Sequence, residues 1–365
     1  MTDPIGATLG VEEEYHLVDP DTWQLVRCPD LIDSLVPGGP LRAEMLSSQL
    51  EAVTAPCTSL AELRIAIAGA RRDAAAAAQQ YGATVLATST HPFAGLDEIE
   101  VLPRPRYERL VDRFGVVVHQ LNLTGCHVHV SVPDLDTAVH IVTRARPYLP
   151  LLLALTASSP FHAGQDSGYE SFRVAWLSLW SQGGPPPHLR DAQHYHETVG
   201  QLVDLGLVED ATNLLWEARP SVKYPTVEFR IADMCTDLDD AVLYAGLVRS
   251  LVRTLGERVR AGAPAEEVSD AVLRGARWRA ARFGLTDSLW SPARRALVPA
   301  ATAVDDLLAE LRPDLECSGE AELLGRLAGR LLDAGTSARR QRDEFARTGS
   351  LKDVARWAAE LTARS

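Results

Sequence analysis

Three consecutive carboxylates, Glu12, Glu13 and Glu14, follow a short apolar run near the start of the chain. If this run is a strand, Glu12 and Glu14 face one way, whereas Glu13 faces the other way with Val11 and Tyr15. Paired carboxylates repel each other unless a cation lies between them, and their oxygens favour Mg²⁺ or Mn²⁺ over softer metals. The alternative is a solvated acidic edge strand. Under the metal hypothesis Glu13 is a spacer, and we expect Glu13→Gln to leave activity largely intact.

A further carboxylate lies in the segment 48–56, where polar and apolar residues alternate until a proline ends the run. This segment is predicted to be a short strand that carries Glu51. A lone glutamate on a strand usually lies on its exposed side. Glu51 becomes a metal ligand only if its strand lies beside the strand of Glu12 and Glu14.

Two histidines alternate with valines in the segment 126–132. As a strand, this segment places His127, His129 and Ser131 on one face and the valines on the other. Surface imidazoles are rarely paired inside a valine alternation, whereas two histidines two residues apart on a strand can reach a common ligand. The pattern favours contact with a metal or a phosphate, more strongly for His127 than for His129.

A glutamate and an arginine share one face of the strand predicted over residues 226–233. In one interpretation Glu228 and Arg230 pair with each other, which at a surface contributes about 0–1 kcal/mol. In the other, the Glu228 carboxylate binds a metal and the Arg230 guanidinium binds phosphate. One sheet whose polar face lines a metal-containing pocket would account for all four polar-faced segments together.

A long polar segment, residues 158–173, is dense in glycine and carries three aromatic side chains. It ends at Arg173, whose planar fork suits a carboxylate or a phosphate. The alternative is an ordinary surface loop, although long ordered loops are more often functional than short ones.

The elements that must position these residues follow an α+β order, strand-rich in residues 1–240 and mainly helical in residues 241–365. We expect a single catalytic domain over residues 1–365, with the tail helices packed on the sheet; the alternative is a boundary near Pro264. Further strands are predicted at 24–28, 84–88 and 214–220. Helices are predicted at 59–80, 104–114, 136–155 with a proline break, 189–205, 237–251 and throughout the chain after about residue 265, with prolines between them.

Composition restricts the function classes. The chain has 365 residues and a net charge of -13, which argues against nonspecific nucleic-acid binding because that depends on lysine and arginine. Five scattered cysteines make neither a disulfide framework nor a zinc site. The first residues lack a secretory signal, and the longest apolar run, 148–156, is too short to span a membrane. These features predict a cytoplasmic protein with no membrane partner.

Five motifs occur in order over nearly the whole chain: Gly10–Tyr15, Thr90–Phe93, Gly125–Val130, Ser159–Phe161 with Gly168–Tyr169, and Pro225–Asp237. Together they resemble the carboxylate-amine ligases of the YbdK type, also called the glutamate-cysteine ligase 2 family. The segment Arg340–Arg342 with Gly349 is similar to the ending of that family. The joint occurrence of these motifs is far more specific than any one of them.

The resemblance implies a glutamine-synthetase-like catalytic fold, a curved antiparallel sheet flanked by helices, which holds ATP and Mg²⁺ or Mn²⁺ on the sheet. The metal ligands that it implies are Glu12, Glu14, Glu51, His127 and Glu228. It assigns Arg230 to the transferred phosphate, Arg173 to catalysis and His129 to cofactor binding.

The implied reaction is ATP-dependent. ATP phosphorylates a small-molecule carboxylate, and an amine then displaces phosphate to form an amide, with glutamate and cysteine as the substrates that the family name suggests. The segment Phe161–Phe172 is a candidate lid, and a homodimer is what the family suggests. Two alternatives remain: a metal-dependent amidohydrolase that uses water as nucleophile, and a nucleotide- or metal-binding protein without turnover.

Overall fold

A computed structural model describes residues 4–95, 99–120 and 122–364. Its strands are β1 (Leu9–Val18), β2 (Leu41–Ala43), β3 (Gln49–Val53), β4 (Thr84–Leu86), β5 (Cys126–Ser131), β6 (Phe161–His162), β7 (Gln165–Asp166), β8 (Ala218–Pro220), β9 (Thr226–Phe229), β10 (Ser288–Ser291) and β11 (Ala296–Pro299). Its helices are α1 (Pro29–Ser34), α2 (Leu60–Gln80), α3 (Pro105–Phe114), α4 (Leu135–Ala145), α5 (Leu149–Thr156), α6 (Phe172–Leu177), α7 (Ala192–Asp204), α8 (Leu238–Arg260), α9 (Asp270–Phe283), α10 (Ala300–Ser318), α11 (Ala321–Ala334), α12 (Ser337–Thr348) and α13 (Leu351–Ala363). Short 3₁₀ segments lie at Gly115–Gln120, Arg146–Tyr148, Ala211–Asn213 and Gly284–Thr286.

The central sheet is antiparallel, in the order β2-β3-β1-β5-β9-β8, and β4 also pairs with β1. The alternation predicted from the sequence is present: the odd-numbered residues Val11 and Tyr15 of β1 and the valines 128 and 130 of β5 are buried in the core. Helices α2 and α8 pack on this apolar face. The opposite face carries the polar residues, so the predicted site residues of β1 and β5 share one face of an α+β fold.

The core is continuous across the possible domain boundary. One cluster of buried apolar side chains extends from Ile5 to Leu331 and takes residues from both sides of Pro264. In the tail, α10 and α11 pack on α8, and α13 packs against β4. Within the described residues, no helix is long and apolar enough to cross a membrane.

Glu13 lies on the core side of β1, as the alternation predicted, but it is not a free spacer. The Arg71 guanidinium of α2 donates from Nε to Glu13 Oε2 at 2.9 Å and from Nη2 to Glu13 Oε1 at 2.5 Å. The Tyr15 hydroxyl donates to the same Oε2 at 2.6 Å. Because Glu13 and Arg71 are both almost fully buried, a change at Glu13 disturbs the core, and the effect of Glu13→Gln on activity stays a prediction.

The structure differs from the prediction at residues 288–299, which were predicted to be helical, and at residues 24–28, which were predicted to form a strand. Residues 288–299 form the hairpin of β10 and β11 rather than helix, because Pro292 and Pro299 disfavour helix on either side of a turn. Residues 24–28 do not form a strand, and Leu25 makes a single bridge to Val18. Pro313 lies inside α10 instead of between helices, where buried Leu311 and Leu315 hold the helix against the core on both sides.

The bounds of other predicted elements differ in both directions: the strand predicted at 84–88 shortens to β4, whereas the helix predicted at 237–251 extends to Arg260 in α8. The proline break near residue 147 is present, since α4 ends at Ala145 and α5 begins at Leu149 after a 3₁₀ turn. The strands predicted at 214–220 and 226–233 shorten to β8 and β9, which pair with each other in antiparallel orientation.

Candidate active site on the polar face of the sheet

Strand register brings the polar residues of four strands together on one face of the sheet. Three pairs of polar residues lie directly opposite each other across neighbouring strands: Glu14 with Glu51, Glu12 with His127, and His129 with Glu228. Side chains directly opposite each other in an antiparallel pair have Cβ atoms about 5 Å apart. The polar-faced segments inferred from the sequence therefore form one surface, and all five predicted metal ligands lie on it.

Glu12, His129 and Glu228 form a compact group, which we call the Glu12 cluster. One ligand atom from each residue lies within 4.8 Å of the others. The Nε2 atom of His129 is 3.6 Å from Glu12 Oε1, and its Nδ1 lies 2.9 Å from Thr226 Oγ1, which fixes the ring orientation. Carboxylates with an imidazole are suitable donors for a divalent cation such as Mn²⁺ or Mg²⁺, so the residues fit the predicted metal.

His127 lies between the two carboxylates of β1. Its Nδ1 is 3.5 Å from Glu12 Oε2, and its Nε2 is 3.6 Å from Glu14 Oε1. The ring is almost fully buried, and burial together with the charge of Arg230 lowers the pKa of His127. A neutral imidazole retains an acceptor nitrogen, which is the form that binds a metal.

The two carboxylates of the Glu12 cluster remain ionised despite their burial. Burial opposes ionisation of Glu12, but hydrogen bonds from His127 and His129 outweigh it and lower its pKa. Burial likewise opposes ionisation of Glu228, and the charges of Arg230 and Arg219 outweigh it, so that the pKa of Glu228 is also lowered. Ionised carboxylates at this position provide the anionic ligands that a cation requires.

Beside this cluster, Glu14, Glu44 and Glu51 form a second acidic group. Burial, reinforced by the charge of Glu14, raises the pKa of the Glu44 carboxyl to about 8. Burial and the charge of Glu44 raise the pKa of Glu51 as well. Glu14 Oε2 accepts a 2.6 Å hydrogen bond from the Gly125 amide. The charge of Glu14 thus makes ionisation of Glu44 and Glu51 less favourable.

Three arginines adjoin these carboxylates. Arg42 of β2 places Nη1 3.5 Å from Glu12 Oε1 and 3.7 Å from Glu51 Oε2. Arg219 of β8 lies directly opposite Glu228 in the sheet and donates to its Oε2 from Nε at 2.8 Å. Arg230 donates from Nη1 to Glu228 Oε1. The interpretation of Glu228 and Arg230 as an ion pair is therefore confirmed, but the pair lies in a pocket and not on a solvated surface.

Arg173 lies behind Arg230 in the wall of the pocket. Its guanidinium donates to the main-chain carbonyls of Arg230 and Ile231, both at 3.2 Å, and Nη1 lies 3.9 Å from Asp233 Oδ1. A Cβ atom on Gly125 would come within 2.5 Å of Arg173 Nη2, so glycine is needed for this approach. Arg173 thus supports the strand end that carries Arg230, and its predicted contact with substrate stays a prediction.

The polar face forms the floor of a pocket of about 430 Å³. One wall is apolar and contains Leu110 and Phe114 of α3, with Trp180 after α6; the rings of Phe114 and Trp180 are 4.2 Å apart. α3 has no buried residue along its length, and Arg109 holds it to Glu209 by hydrogen bonds of 2.8 and 3.1 Å. α3 therefore covers the pocket without being part of the core.

The proposed lid, Phe161–Phe172, lies elsewhere: none of these residues lines the pocket in the part of the chain that the structure describes. Arg342 of α12 holds the segment through hydrogen bonds of 2.8 and 2.9 Å to Asp166 and 2.7 Å to the Tyr169 carbonyl. Phe161 is buried against Phe345. The segment is tied to the C-terminal helices and does not support a lid.

Comparison with known proteins identifies the family. The sequence model of glutamate-cysteine ligase family 2 matches residues 8–356. The chain belongs to this family. A relative from Saccharopolyspora erythraea, provisionally named glutamate–cysteine ligase 2-1, is 40% identical over 348 residues, which cover 95% of this chain and 92% of the relative.

Solved structures show the fold of this family member. Glutamate–cysteine ligase from Francisella tularensis, crystallised in complex with AMP, has a TM-score of 0.72 at 13% identity and covers 100% of this chain and 90% of its own. A bifunctional glutathione synthetase from Pasteurella multocida has a TM-score of 0.70 at 17% identity; the match covers 98% of this chain but 52% of that protein. The predicted glutamine-synthetase-like fold is confirmed.

Three residues that line the pocket were not predicted from the sequence: Arg42, Glu44 and Arg219. A signal for Arg219 was available, because the hairpin predicted from residue 214 to residue 233 would place it near Glu228. Arg42 and Glu44 alternate with Ala43, so that as a strand they would share one face. This segment has no long apolar run, so the sequence does not predict a strand there.

Proposed function

We propose that this protein is an ATP-dependent carboxylate–amine ligase that forms an amide through an acyl phosphate. The observation that carries the proposal is the Glu12 cluster, whose three ligand atoms lie within 4.8 Å of one another beside Arg219 and Arg230. Phosphoryl transfer is catalysed mainly by positioning and by neutralisation of charge, and cation ligands with adjacent arginines supply both.

In the reaction, an oxygen of the substrate carboxylate takes the γ-phosphoryl group of ATP, and ADP leaves. The amine nitrogen then bonds to the acyl carbon and loses a proton, and inorganic phosphate leaves. Glutamate and cysteine are the substrates that we propose, because relatives carry that activity in their names. The apolar wall with Phe114 and Trp180 suits the nucleobase, since aromatic rings stack on its faces.

We assign the cation ligands to two sets. Glu12, His129 and Glu228, with His127 adjoining, would hold one Mg²⁺ or Mn²⁺ ion, and the acidic group of Glu14, Glu44 and Glu51 would hold a second. Such ions, when bound, neutralise phosphate charge and orient the transferred group. Arg230 binds the phosphoryl group, and Arg173 holds Arg230 in place through the main chain.

The decisive experiment is a screen for ADP release by the purified protein with carboxylic acids and amines in pairs, in Mg²⁺ or Mn²⁺. We expect release that requires ATP, glutamate and an amine together, and an equimolar amide product. ATP-independent hydrolysis of amides, with no rise in melting temperature on adding nucleotide, would instead establish the amidohydrolase. Tight ATP binding with no turnover across a broad amine panel would establish a binding protein.

Two further properties belong to the proposal. We place the enzyme in the cytoplasm, where ATP is available and where its five free cysteines would stay reduced. A homodimer is the assembly that we expect. Sedimentation velocity of the full chain tests the second point, and a single species at the monomer mass of 39.7 kDa would contradict it.

A further inference from the structure

Both oxygens of the Glu228 carboxylate already accept hydrogen bonds from arginine. Oε2 accepts from Arg219 Nε at 2.8 Å, and Oε1 accepts from Arg219 Nη2 at 3.3 Å and from Arg230 Nη1. The same carboxylate provides one of the three ligand atoms of the Glu12 cluster. A cation at this cluster must therefore share Glu228 with a guanidinium or displace it.

The two arginines are held in different ways. Arg219 Nη1 donates to the main-chain carbonyls of Thr212 at 3.1 Å and Leu214 at 2.7 Å. These bonds fix its guanidinium to the pocket wall, whatever happens at Glu228. The Arg230 guanidinium bonds only within the site, to Glu228 and, at 3.5 Å, to His127 Nδ1, as far as the described residues show.

Arg230 can therefore leave Glu228 without breaking a main-chain contact of its side chain, whereas Arg219 cannot. Its side chain is also the more exposed of the two, at 20% against 12%. The charge on Arg230 interacts favourably with Glu12 and Glu14 as well as Glu228, so it occupies the region of negative potential that a divalent cation would enter. Like charges at that distance repel, so the two compete for one position.

We propose that Arg230 is the counter-ion of the metal-free site, bound to Glu228 until a divalent cation binds, and that it then turns its guanidinium towards the pocket to bind the phosphoryl group. Arg219 remains in place and holds the Glu228 carboxylate in the orientation that the cation needs. Cation binding and release of the phosphate-binding arginine are then a single coupled event. The phosphoryl part rests on the proposed function, whereas the competition for Glu228 does not.

The test measures Mn²⁺ binding without nucleotide, by electron paramagnetic resonance of the free ion, for the wild type, Arg230→Met and Arg219→Met. We expect Arg230→Met to bind Mn²⁺ at least tenfold more tightly, because a competing cation has been removed. Arg219→Met removes the same charge beside the same carboxylate but also its fixed support, so we expect unchanged or weaker binding. Equal tightening in both variants would mean that charge alone matters, and would overturn the proposal, as would no tightening in Arg230→Met.

A charge-conserving variant gives a second readout. Arg230→Lys keeps the competing cation, so its Mn²⁺ affinity should stay within about threefold of the wild type, and a tenfold tightening would contradict the proposal.

Mn²⁺ should strengthen binding of a non-hydrolysable ATP analogue more in the wild type than in Arg230→Met; an equal gain in both would exclude the coupling. A wild type that binds no Mn²⁺ at all contradicts the cation site of the proposed function, whereas normal binding without tightening contradicts only the role of Arg230.

Discussion

The carboxylate of Glu13 and the guanidinium of Arg71 form a two-point ion pair on the face of β1 opposite the active site. Arg71 also donates to the carbonyls of Cys235 at 2.7 Å and Thr236 at 2.9 Å, beyond the strand of Glu228. One buried arginine therefore ties the strand of Glu12 and Glu14 to the chain that follows β9.

Removal of either member of this pair should strongly destabilise the fold. Arg71→Met leaves a buried carboxylate without its cation, for which a loss of about 3–5 kcal/mol in the free energy of unfolding is expected. Urea denaturation measures the loss. The double variant Glu13→Gln/Arg71→Met should lose less than the sum of the single losses, and simple additivity would contradict the pairing.

Loss of a ligand from the Glu12 cluster should abolish turnover and leave the fold intact. We expect Glu12→Gln and Glu228→Gln to release ADP at less than about a hundredth of the wild-type rate, because transition-state charge is no longer neutralised. Circular dichroism confirms folding, and Glu197→Gln, at an exposed residue of α7, is the matched control. Turnover in both site variants at the control rate would disprove the site.

Glu44→Gln should separate stability from cation use. With its pKa raised, Glu44 must take up a proton when the chain folds near neutral pH, a cost that glutamine avoids, so we expect the metal-free protein to gain about 1 kcal/mol in unfolding free energy. The substitution also removes a ligand, so half-maximal ADP release should require several-fold more Mg²⁺. Melting temperature in EDTA and a Mg²⁺ titration measure the two effects. If neither quantity changes, Glu44 is outside the cation site.

His91 should make the fold sensitive to acid. Burial lowers its pKa to about 4; Nε2 lies 2.8 Å from the Trp23 carbonyl, and Nδ1 accepts from the amides of Phe93 and Ala94. The folded state keeps this ring neutral, whereas the unfolded chain takes up a proton below its usual pKa of about 6.5. Stability is therefore fully present above about pH 6.5 and is lost as pH falls towards 4, by about 1.4 kcal/mol per pH unit.

This pH dependence can be assigned to His91 by substitution. Urea denaturation at pH 7 and pH 5.5 should show a smaller difference for His91→Gln than for the wild type. His196→Gln, at an exposed histidine of α7, should keep the wild-type difference. A full pH dependence in His91→Gln would mean that other groups cause it.

Loosening α3 should admit water to the site. Arg109→Met breaks the pair with Glu209 that helps to hold α3 over the pocket, and little stability should be lost because the pair is exposed. An acyl phosphate formed beneath a loosened α3 is open to hydrolysis. We expect the ratio of ADP to amide product to rise above one; a ratio unchanged from wild type would show that α3 does not exclude water.

The sequence allowed prediction of the residues whose placement depends on local alternation. Glu12, Glu14, His127, Glu228 and Arg230 all face the pocket because a strand has a period of two, which is visible without any partner strand. Glu13 was placed on the correct face, but its role was not predictable, since Arg71 is 58 residues away. The hairpin at 288–299 was missed because its strands are short and its contacts are with α5 and α10.

Residues that depend on pairing between strands were harder to find. Arg219 reaches Glu228 only through the register of β8 with β9, and Arg42 reaches Glu51 only through that of β2 with β3. The Phe161–Phe172 segment has a lid-like composition, yet Arg342 from the far end of the chain holds it away from the pocket. Contacts over such separations leave no periodic pattern in a single sequence.

Gly125 contacts two parts of the candidate site at once, so that a substitution at this glycine affects both parts. Its amide orients Glu14, and its missing side chain makes room for Arg173. A methyl group at this position would displace the arginine that supports Arg230, on the residue whose amide also holds Glu14 of the neighbouring strand. During divergence the two positions should therefore change together: a lineage that replaces this glycine must first accept a smaller residue at position 173, and a designer who alters the pocket should keep both.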